Sequence, residues 1–221
     1  MTTAARLFRG LAVGASPAVE IACRCDKTAL TFFRPRTRLR FACGCVDCNQ
    51  ALRWAARHGG PEAPASGLAD LLYFENDLEV ARGREHLRFF QLRHGARSTR
   101  AVATCCHTTL AVDHPAYREN IVMVTADAAR VASSEPLPEP WAAIYLDDLA
   151  PARRARLPRV ADVALGGSPS RDPSTPEAFK DRVVAAFCAP VEGARQGTTI
   201  QELIRTAAEP VAVLGLDEGA E

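Results

Sequence analysis

The stretch CGCVDC at residues 43–48 places three cysteines within six positions. Two further clusters flank it, CRC at residues 23–25 and CCH at residues 105–107. Seven of the eight cysteines therefore lie in three short segments, and only Cys188 stands apart. Clustered thiolates are the ligands of tetrahedral, soft-ligand metal sites, for which zinc is the usual occupant. The sequence therefore predicts bound Zn²⁺.

The first and third clusters together supply four thiolates. Cys23 and Cys25 project from one extended turn, so both sulfurs can reach one ion. Cys105 and Cys106 can complete the site if a tight turn brings the two adjacent sulfurs to the same side. Four protein ligands leave no open position, so this zinc is predicted to be structural. His107 is the reserve ligand for the same site.

The middle cluster, Cys43, Cys45 and Cys48, supplies three ligands with no fourth close in sequence. Three protein ligands with one vacancy are typical of catalytic zinc, and a zinc held by three thiolates favours an incoming sulfur ligand. A second structural zinc, or a redox dithiol at the C-x-x-C, fits these residues as well, and the three alternatives stay open. The histidines that could complete a structural site are His58, His86 and His107.

The length, composition and charge of the chain limit the classes of protein to which it can belong. The chain has 221 residues, of which 48% are hydrophobic, enough to bury a core without disulfides. Its 27 basic and 26 acidic residues give a net charge of +1, which favours neither nucleic acid nor a membrane surface as a partner. The apolar run near the N-terminus is broken by Arg9 and Gly10 and is too short for a signal peptide. We expect a cytoplasmic protein.

The pattern of apolar and polar residues along the chain predicts a β-rich region followed by a region with a different pattern. The first 20 residues are expected to form a loose arm or an edge strand, and short strands separated by polar turns follow as far as residue 113. One helix is expected directly after Cys48, ending at Gly59-Gly60. The short apolar stretches that read as strands are VEIAC, LTFF, LRFA, LLYF, LEVA, LRFFQL, AVAT, TLAVD and IVMVTA.

The second half is read as a mostly helical extension. Residues 1–120 are assigned to a zinc-binding β domain and residues 121–221 to an extension packed on it. Capping-box patterns at Ser174 and Thr199 predict the starts of two helices in this range. The predicted fold class is therefore mainly β with an α extension, an α+β arrangement stapled by zinc.

The three clusters, in this order, resemble those of the glutathione-dependent formaldehyde-activating enzyme family, which includes the centromere protein V type. That family has C-x-C, then C-x-C-x-x-C, then a late C-x-x-C followed by Gly-Thr/Ser and an apolar residue. The matching segments cover roughly residues 19–113, about half of the chain. Two departures are Ala103, at the first cysteine of the late motif, and His107, at its glycine. Gly44 stands where the middle motif often has a histidine.

The resemblance implies a β-tent type of fold, a structural zinc on the first and third clusters and a labile, catalytic zinc on the middle one. It also implies carbon–sulfur lyase chemistry on a thiol adduct, with glutathione as one candidate thiol. Asp47 and His107 are the candidate general bases, and Arg24 and Arg53 the candidate partners for a substrate carboxylate. The rival hypotheses are a non-catalytic, zinc-stabilised protein-binding module and a thiol-based redox sensor.

Overall fold

A computed structural model describes residues 18–217 as two β-sheets with four α-helices. This confirms the predicted α+β class with mainly β character. Most of the expected N-terminal arm lies outside the described residues, and the first strand begins at Val19. The helices are α1 (Val46–Arg57), α2 (Pro151–Arg154), α3 (Glu177–Cys188) and α4 (Ile200–Arg205). The strands are β1 (Val19–Ala22), β2 (Ala29–Phe32), β3 (Leu39–Cys43), β4 (Ala69–Glu75), β5 (Leu78–Arg82), β6 (Leu87–Gln91), β7 (Thr99–Ala103), β8 (Thr108–Asp113), β9 (Ile121–Thr125), β10 (Arg130–Ser133), β11 (Ala142–Ile144), β12 (Val163–Ala164) and β13 (Ala212–Val213).

The larger sheet carries the middle cysteine cluster, at the end of β3, and the third cluster, between β7 and β8, whereas the first cluster follows β1 of the smaller sheet. Its strand order is β12-β11-β3-β4-β9-β8-β7-β6-β13, and the smaller sheet has the order β10-β1-β2-β5. Neighbouring strands run antiparallel except at the two edges of the larger sheet, where β11 and β12 run parallel to β3 and β13 runs parallel to β6. The central strands β4, β8 and β9 are buried along most of their length, so this part of the larger sheet is covered on both faces.

Strand β4 shows why the apolar run LLYF forms a central strand. Successive side chains point to opposite faces, so Leu72 and Phe74 enter one core while Leu71 and Tyr73 enter the other. The first core lies between the two sheets, and the second lies on the opposite face of the larger sheet, beneath α1 and α3. A strand buried on both faces reads as a continuous hydrophobic run rather than an alternating one.

The range from residue 121 onward contributes strands as well as helices. Strand β9 pairs with β4 and β8 in the middle of the larger sheet, β10 pairs with β1, and β11 pairs with β3. The division into residues 1–120 and 121–221 stays a prediction. The strand pairing shows that the second range contributes to both sheets and is not only laid against them.

One of the two predicted helix caps is confirmed. Thr199 is the N-cap of α4, and its hydroxyl accepts a hydrogen bond from the Glu202 amide at 3.1 Å. The prediction for Ser174 was wrong, because α3 begins at Glu177 with Pro176 at its N-cap. The Ser174 hydroxyl donates instead to Asp172 at 2.5 Å, within the preceding turn. Among the described helices, none is both long enough and apolar enough to cross a membrane.

Candidate metal centres

The four cysteines of the first and third clusters form one group. Their sulfur atoms lie within 4.8 Å of one another, and Cys23, Cys25, Cys105 and Cys106 can therefore hold a metal ion. The individual distances are 3.6 Å for Cys23–Cys25, 3.7 Å for Cys23–Cys105 and 3.4 Å for Cys25–Cys105. Tetrahedral ligation with Zn–S bonds of about 2.3 Å would place sulfurs about 3.8 Å apart. The observed spacing fits such a site with little movement.

A tight turn between β7 and β8 brings the adjacent cysteines Cys105 and Cys106 together. The Cys106 amide donates to the Ala103 carbonyl at 3.3 Å, and His107 adopts the left-handed backbone conformation with φ of 49°. That conformation favours glycine, so His107 occupies a position where a glycine would be unstrained. Because Cys105 itself joins the group, the site has four sulfurs although residue 103 is an alanine.

Two threonines support the sulfurs of this group. The Thr28 amide donates to Cys23 Sγ at 3.3 Å, and the Thr28 hydroxyl lies 3.6 Å from Cys105 Sγ. The Thr108 hydroxyl lies 3.2 Å from Cys106 Sγ. Burial acts against the Cys106 thiolate, but hydrogen bonds led by that of Thr108 outweigh it and lower the pKa to about 7. Burial raises the pKa of Cys105 to about 12.

The middle cluster sits at the junction of β3 and α1. Cys43 ends the strand, Cys45 is the N-cap of the helix and Cys48 lies in its first turn. The Cys48 amide donates to Cys45 Sγ at 3.4 Å, so that sulfur acts as the capping acceptor. The three sulfurs lie within 4.8 Å of one another and can hold a metal ion. Helix α1 begins three residues earlier than the sequence indicated because the cluster itself caps it.

Electrostatics favour a thiolate in the middle group. Hydrogen bonds with Cys43 and Cys45 lower the pKa of Cys48 well below its usual range, and the positive charge of Arg100 adds to this. Hydrogen bonds with the other two thiols, together with burial, raise the pKa of Cys43 well above its usual range. The helix N-terminus adds the positive end of the helix dipole beside the group.

No histidine, cysteine or carboxylate within residues 18–217 joins the middle group as a fourth ligand. The group instead lines a cavity of about 610 Å³. The apolar walls of this cavity include Phe41, Leu71, Met123, Ile144, Val183 and Phe187. A pocket of this size with mostly apolar walls is typical of a small-molecule site.

Polar groups also line the cavity and are spread around it; they include Ser98, Arg118, Asp148, Ser168 and Ser170. All three tyrosines of the chain, Tyr73, Tyr117 and Tyr145, contribute to its lining. Arg100 reaches it from β7, and His114 from the segment after β8. Tyr145 adopts the left-handed backbone conformation with φ of 54°, which is uncommon for a bulky residue and is concentrated at functional sites.

The other residues singled out from the sequence fall in several places. Asp47 lines the cavity, but its Oδ1 is ion-paired with Arg93 at 2.5 Å. His107 lies outside the cavity lining and packs its ring against Trp54 and His58. His86 belongs to neither cysteine group.

The two candidate arginines are not in the cavity lining. Arg24 donates through Nη1 to the Gly60 carbonyl at 3.2 Å, and Arg53 is half-buried on α1. Cys188 was interpreted as a buried hydrophobic residue; it is half-buried at the end of α3 and lines the cavity. No sequence motif marks Arg100, His114 or Tyr145, because each lies on a different segment and none belongs to a cysteine motif.

The sequence matches no model of a known protein family and no curated protein.

Proposed function

We propose that the protein is a zinc-dependent carbon–sulfur lyase or related thiol-adduct enzyme whose active site is the middle cysteine group. One observation carries the proposal: three sulfurs that can hold a metal ion line a cavity of about 610 Å³ and have no fourth protein ligand within residues 18–217. A site with three protein ligands keeps one position for substrate, whereas a site with four is closed. The four-cysteine group is then the structural site.

The donor set of the middle group fits zinc. Three thiolates are soft ligands of the kind zinc takes in proteins, and their sulfurs are already gathered around one point. When bound there, the ion would supply Lewis acidity that stabilises the thiolate form of a substrate sulfur. The first turn of α1 holds Cys45 and Cys48 in place, since the Cys48 amide donates to the Cys45 sulfur.

The proposed reaction is the reversible cleavage of a thiol–aldehyde adduct. The carbon–sulfur bond breaks, its electron pair stays on sulfur, and the hydroxyl proton of the adduct ends on the released thiol as the carbonyl forms. No oxidant or reductant is needed. Among the residues of the cavity, Tyr145 keeps its proton at neutral pH, because the usual pKa of a phenol is about 10 and burial raises it. Its hydroxyl can therefore donate a hydrogen bond to the oxygen of the adduct.

The structure bears on the two candidate general bases, Asp47 and His107. The carboxylate of Asp47 is ion-paired with Arg93, so it is already engaged by another side chain of the protein. His107 lies outside the cavity lining, so it has no role in this reaction. The resemblance to the formaldehyde-activating enzyme family agrees with the placement of the two sites, and membership of that family is part of the proposal.

The two rivals make different predictions about the middle site. A protein-binding module needs no open metal position, and a fourth protein ligand would have favoured it. A redox sensor needs a reversible disulfide between Cys45 and Cys48, whose sulfurs lie within 4.8 Å of each other. Zinc expelled by mild peroxide and restored by a reductant would favour the sensor over the enzyme.

The test combines metal content with activity in two matched variants. Cys45→Ser removes one sulfur of the middle group, whereas Cys188→Ser changes a cysteine that lines the same cavity but lies outside the group. The wild-type protein and Cys188→Ser are expected to carry two zinc ions per chain, and Cys45→Ser one.

Activity is followed by exchange NMR of adducts between small thiols and aldehydes. We expect Cys45→Ser to keep the circular-dichroism spectrum of the fold and lose catalysed exchange. Wild-type activity in Cys45→Ser would overturn the proposal. One zinc per chain in the wild-type protein would do so as well.

A further inference from the structure

Arg100 is a buried cation with unused hydrogen-bonding capacity. Its side chain lines the cavity from β7, and the residue is only 4% exposed. Its Nη1 atom has no hydrogen-bond partner within residues 18–217, and Nη2 makes a long contact of 3.4 Å to the Asp47 carbonyl. Burying a guanidinium without satisfying its donors is costly, so a group that supplies acceptors there would be favoured.

Arg100 lies beside the segment that carries the middle cysteine group. Asp47, whose carbonyl it contacts, lies in the C-x-x-C segment between Cys45 and Cys48. A ligand whose sulfur occupies the open position of the middle group would therefore lie within the same cavity as the guanidinium. A guanidinium offers paired donors that match a carboxylate.

The remaining walls of the cavity indicate the chemistry of the part of the ligand that joins its sulfur to its carboxylate. Phe41, Leu71 and Met123 form part of the apolar lining, together with the stacked rings of Tyr117 and Phe187, whose centroids lie 5.7 Å apart. A peptide-like thiol such as glutathione carries two carboxylates, an ammonium group and two amides. Polar residues such as Ser98, Arg118 and Asp148 also line the cavity, but within residues 18–217 Arg100 Nη1 is the one buried side-chain atom of the lining that lacks a hydrogen-bond partner. One carboxylate satisfies that donor, and each further charged group of glutathione adds a desolvation cost.

We propose that the cavity binds a thiol, or its aldehyde adduct, that has an aromatic or aliphatic body and a single carboxylate. The middle cysteine group binds the sulfur through its metal, Arg100 binds the carboxylate, and the apolar walls enclose the body. This inference rests on the proposed function, since it needs an open metal position, and it goes further by replacing glutathione with an apolar mercaptocarboxylate. Arg100 is then the residue that determines specificity.

A different role for Arg100 would be to balance the negative charge of the three thiolates. The two roles are separable, because a counter-charge supports every thiol equally whereas an anchor supports only thiols that carry a carboxylate. The experiment therefore uses a matched pair of ligands, 2-mercapto-3-phenylpropionate and 2-phenylethanethiol, which differ only in the carboxylate. Glutathione is the third ligand.

Binding is measured on the full chain loaded with Co²⁺, whose visible absorption changes when a thiolate enters the coordination sphere. Arg100→Met is compared with Arg88→Met, because Arg88 pairs with Glu209 at 2.9 Å and does not line the cavity. Arg100→Lys is the second variant and keeps the charge while losing the paired donors. It also serves if Arg100→Met fails to fold.

In the wild-type protein and in Arg88→Met, the carboxylate should tighten binding roughly 10- to 100-fold, as expected for hydrogen bonds to a charged group. In Arg100→Met the two ligands should bind equally, and in Arg100→Lys the ratio should be reduced. Equal weakening of both ligands in Arg100→Met would overturn the inference in favour of the counter-charge role. Tightest binding of glutathione would overturn it too, while leaving the proposed function intact. No spectral change with any thiol would overturn the proposed function, and this inference with it.

Discussion

The Thr108 hydroxyl gives the most direct test of the four-cysteine site, because one buried side chain serves two partners there. Thr108 is fully buried at the start of β8. Its Oγ1 accepts a hydrogen bond from the Arg24 amide at 3.1 Å and lies 3.2 Å from Cys106 Sγ. A hydroxyl has one proton to donate, and here the amide occupies only an acceptor position. The proton is therefore available to the Cys106 sulfur, which has none of its own once it binds a metal as a thiolate.

Thr108→Val keeps the shape of the side chain and removes both interactions. The Arg24 amide would lose its partner, at a cost of about 1–3 kcal/mol, and the hydrogen bond to a charged sulfur is worth about 1.5–3 kcal/mol. Loss of groups that orient metal ligands typically costs 10- to 100-fold in metal affinity, which corresponds to about 1.4–2.8 kcal/mol. We therefore expect Thr108→Val to weaken zinc binding at this site by that factor.

The measurement is competition for zinc against a chromophoric chelator, carried out in the Cys45→Ser background so that only the four-cysteine site contributes. Thr109→Val is the matched control. Thr109 is the next residue of β8, is only 6% exposed and points to the opposite face of the strand. Equal zinc affinity in the two valine variants would refute the reasoning, because both lose a buried hydroxyl and only one loses a bond to a cysteine sulfur.

Two further predictions concern the cavity walls. A Cβ atom on Gly44 would lie 2.8 Å from the Tyr145 carbonyl oxygen, so Gly44→Ala should cost about 1–3 kcal/mol in urea unfolding. Gly167→Ala meets only ordinary contacts and should be close to neutral, and equal losses in the two variants would contradict the steric argument. His114 Nδ1 accepts a hydrogen bond from the Ala116 amide at 3.0 Å, and burial lowers the pKa of His114 below its usual value. The unfolded chain then binds more protons than the folded one, so stability should fall as the pH drops from about 6.5 through the folded pKa. His114→Asn keeps an acceptor that does not titrate, and its unfolding midpoint should fall less than that of the wild-type protein between pH 7.5 and 5.0; equal shifts would count against this linkage.

The cysteine groups were predictable from the sequence because their spacing is local. The two cysteines of a C-x-C or C-x-x-C pair can bind one ion wherever their segment lies, because the local backbone places their sulfurs close together. The pairing of the first cluster with the third also followed from ligand counting, although about 80 residues separate them. Helix α1 was placed correctly but started too late, since Cys45 was interpreted as a ligand alone and also acts as the N-cap.

The cavity could not be predicted, because its residues share no local pattern. Arg100 directly precedes the short apolar stretch AVAT, which is typical of an ordinary strand, and Tyr145 follows a Pro-rich segment. Arg100 and Tyr145 line the same cavity although β7 lies four positions away from β3, the strand with which β11 pairs in the larger sheet. Sheet order of this kind depends on the whole chain, whereas the periodicity of any one strand reports only which of its faces is buried.

The segment after residue 140 forms part of the cavity beside the middle cysteine group. Strand β11 lies beside β3, and the Tyr145 carbonyl that follows it occupies the space where any side chain at Gly44 would have to go. A histidine inside the middle motif is therefore excluded by packing, and the same segment contributes Ile144 and Tyr145 to the cavity. Helix α3 adds Val183 and Phe187 from still later in the chain. The cysteines provide the ligands, but residues of the second half form much of the wall that a bound thiol would contact, so substrate choice should follow changes in that half.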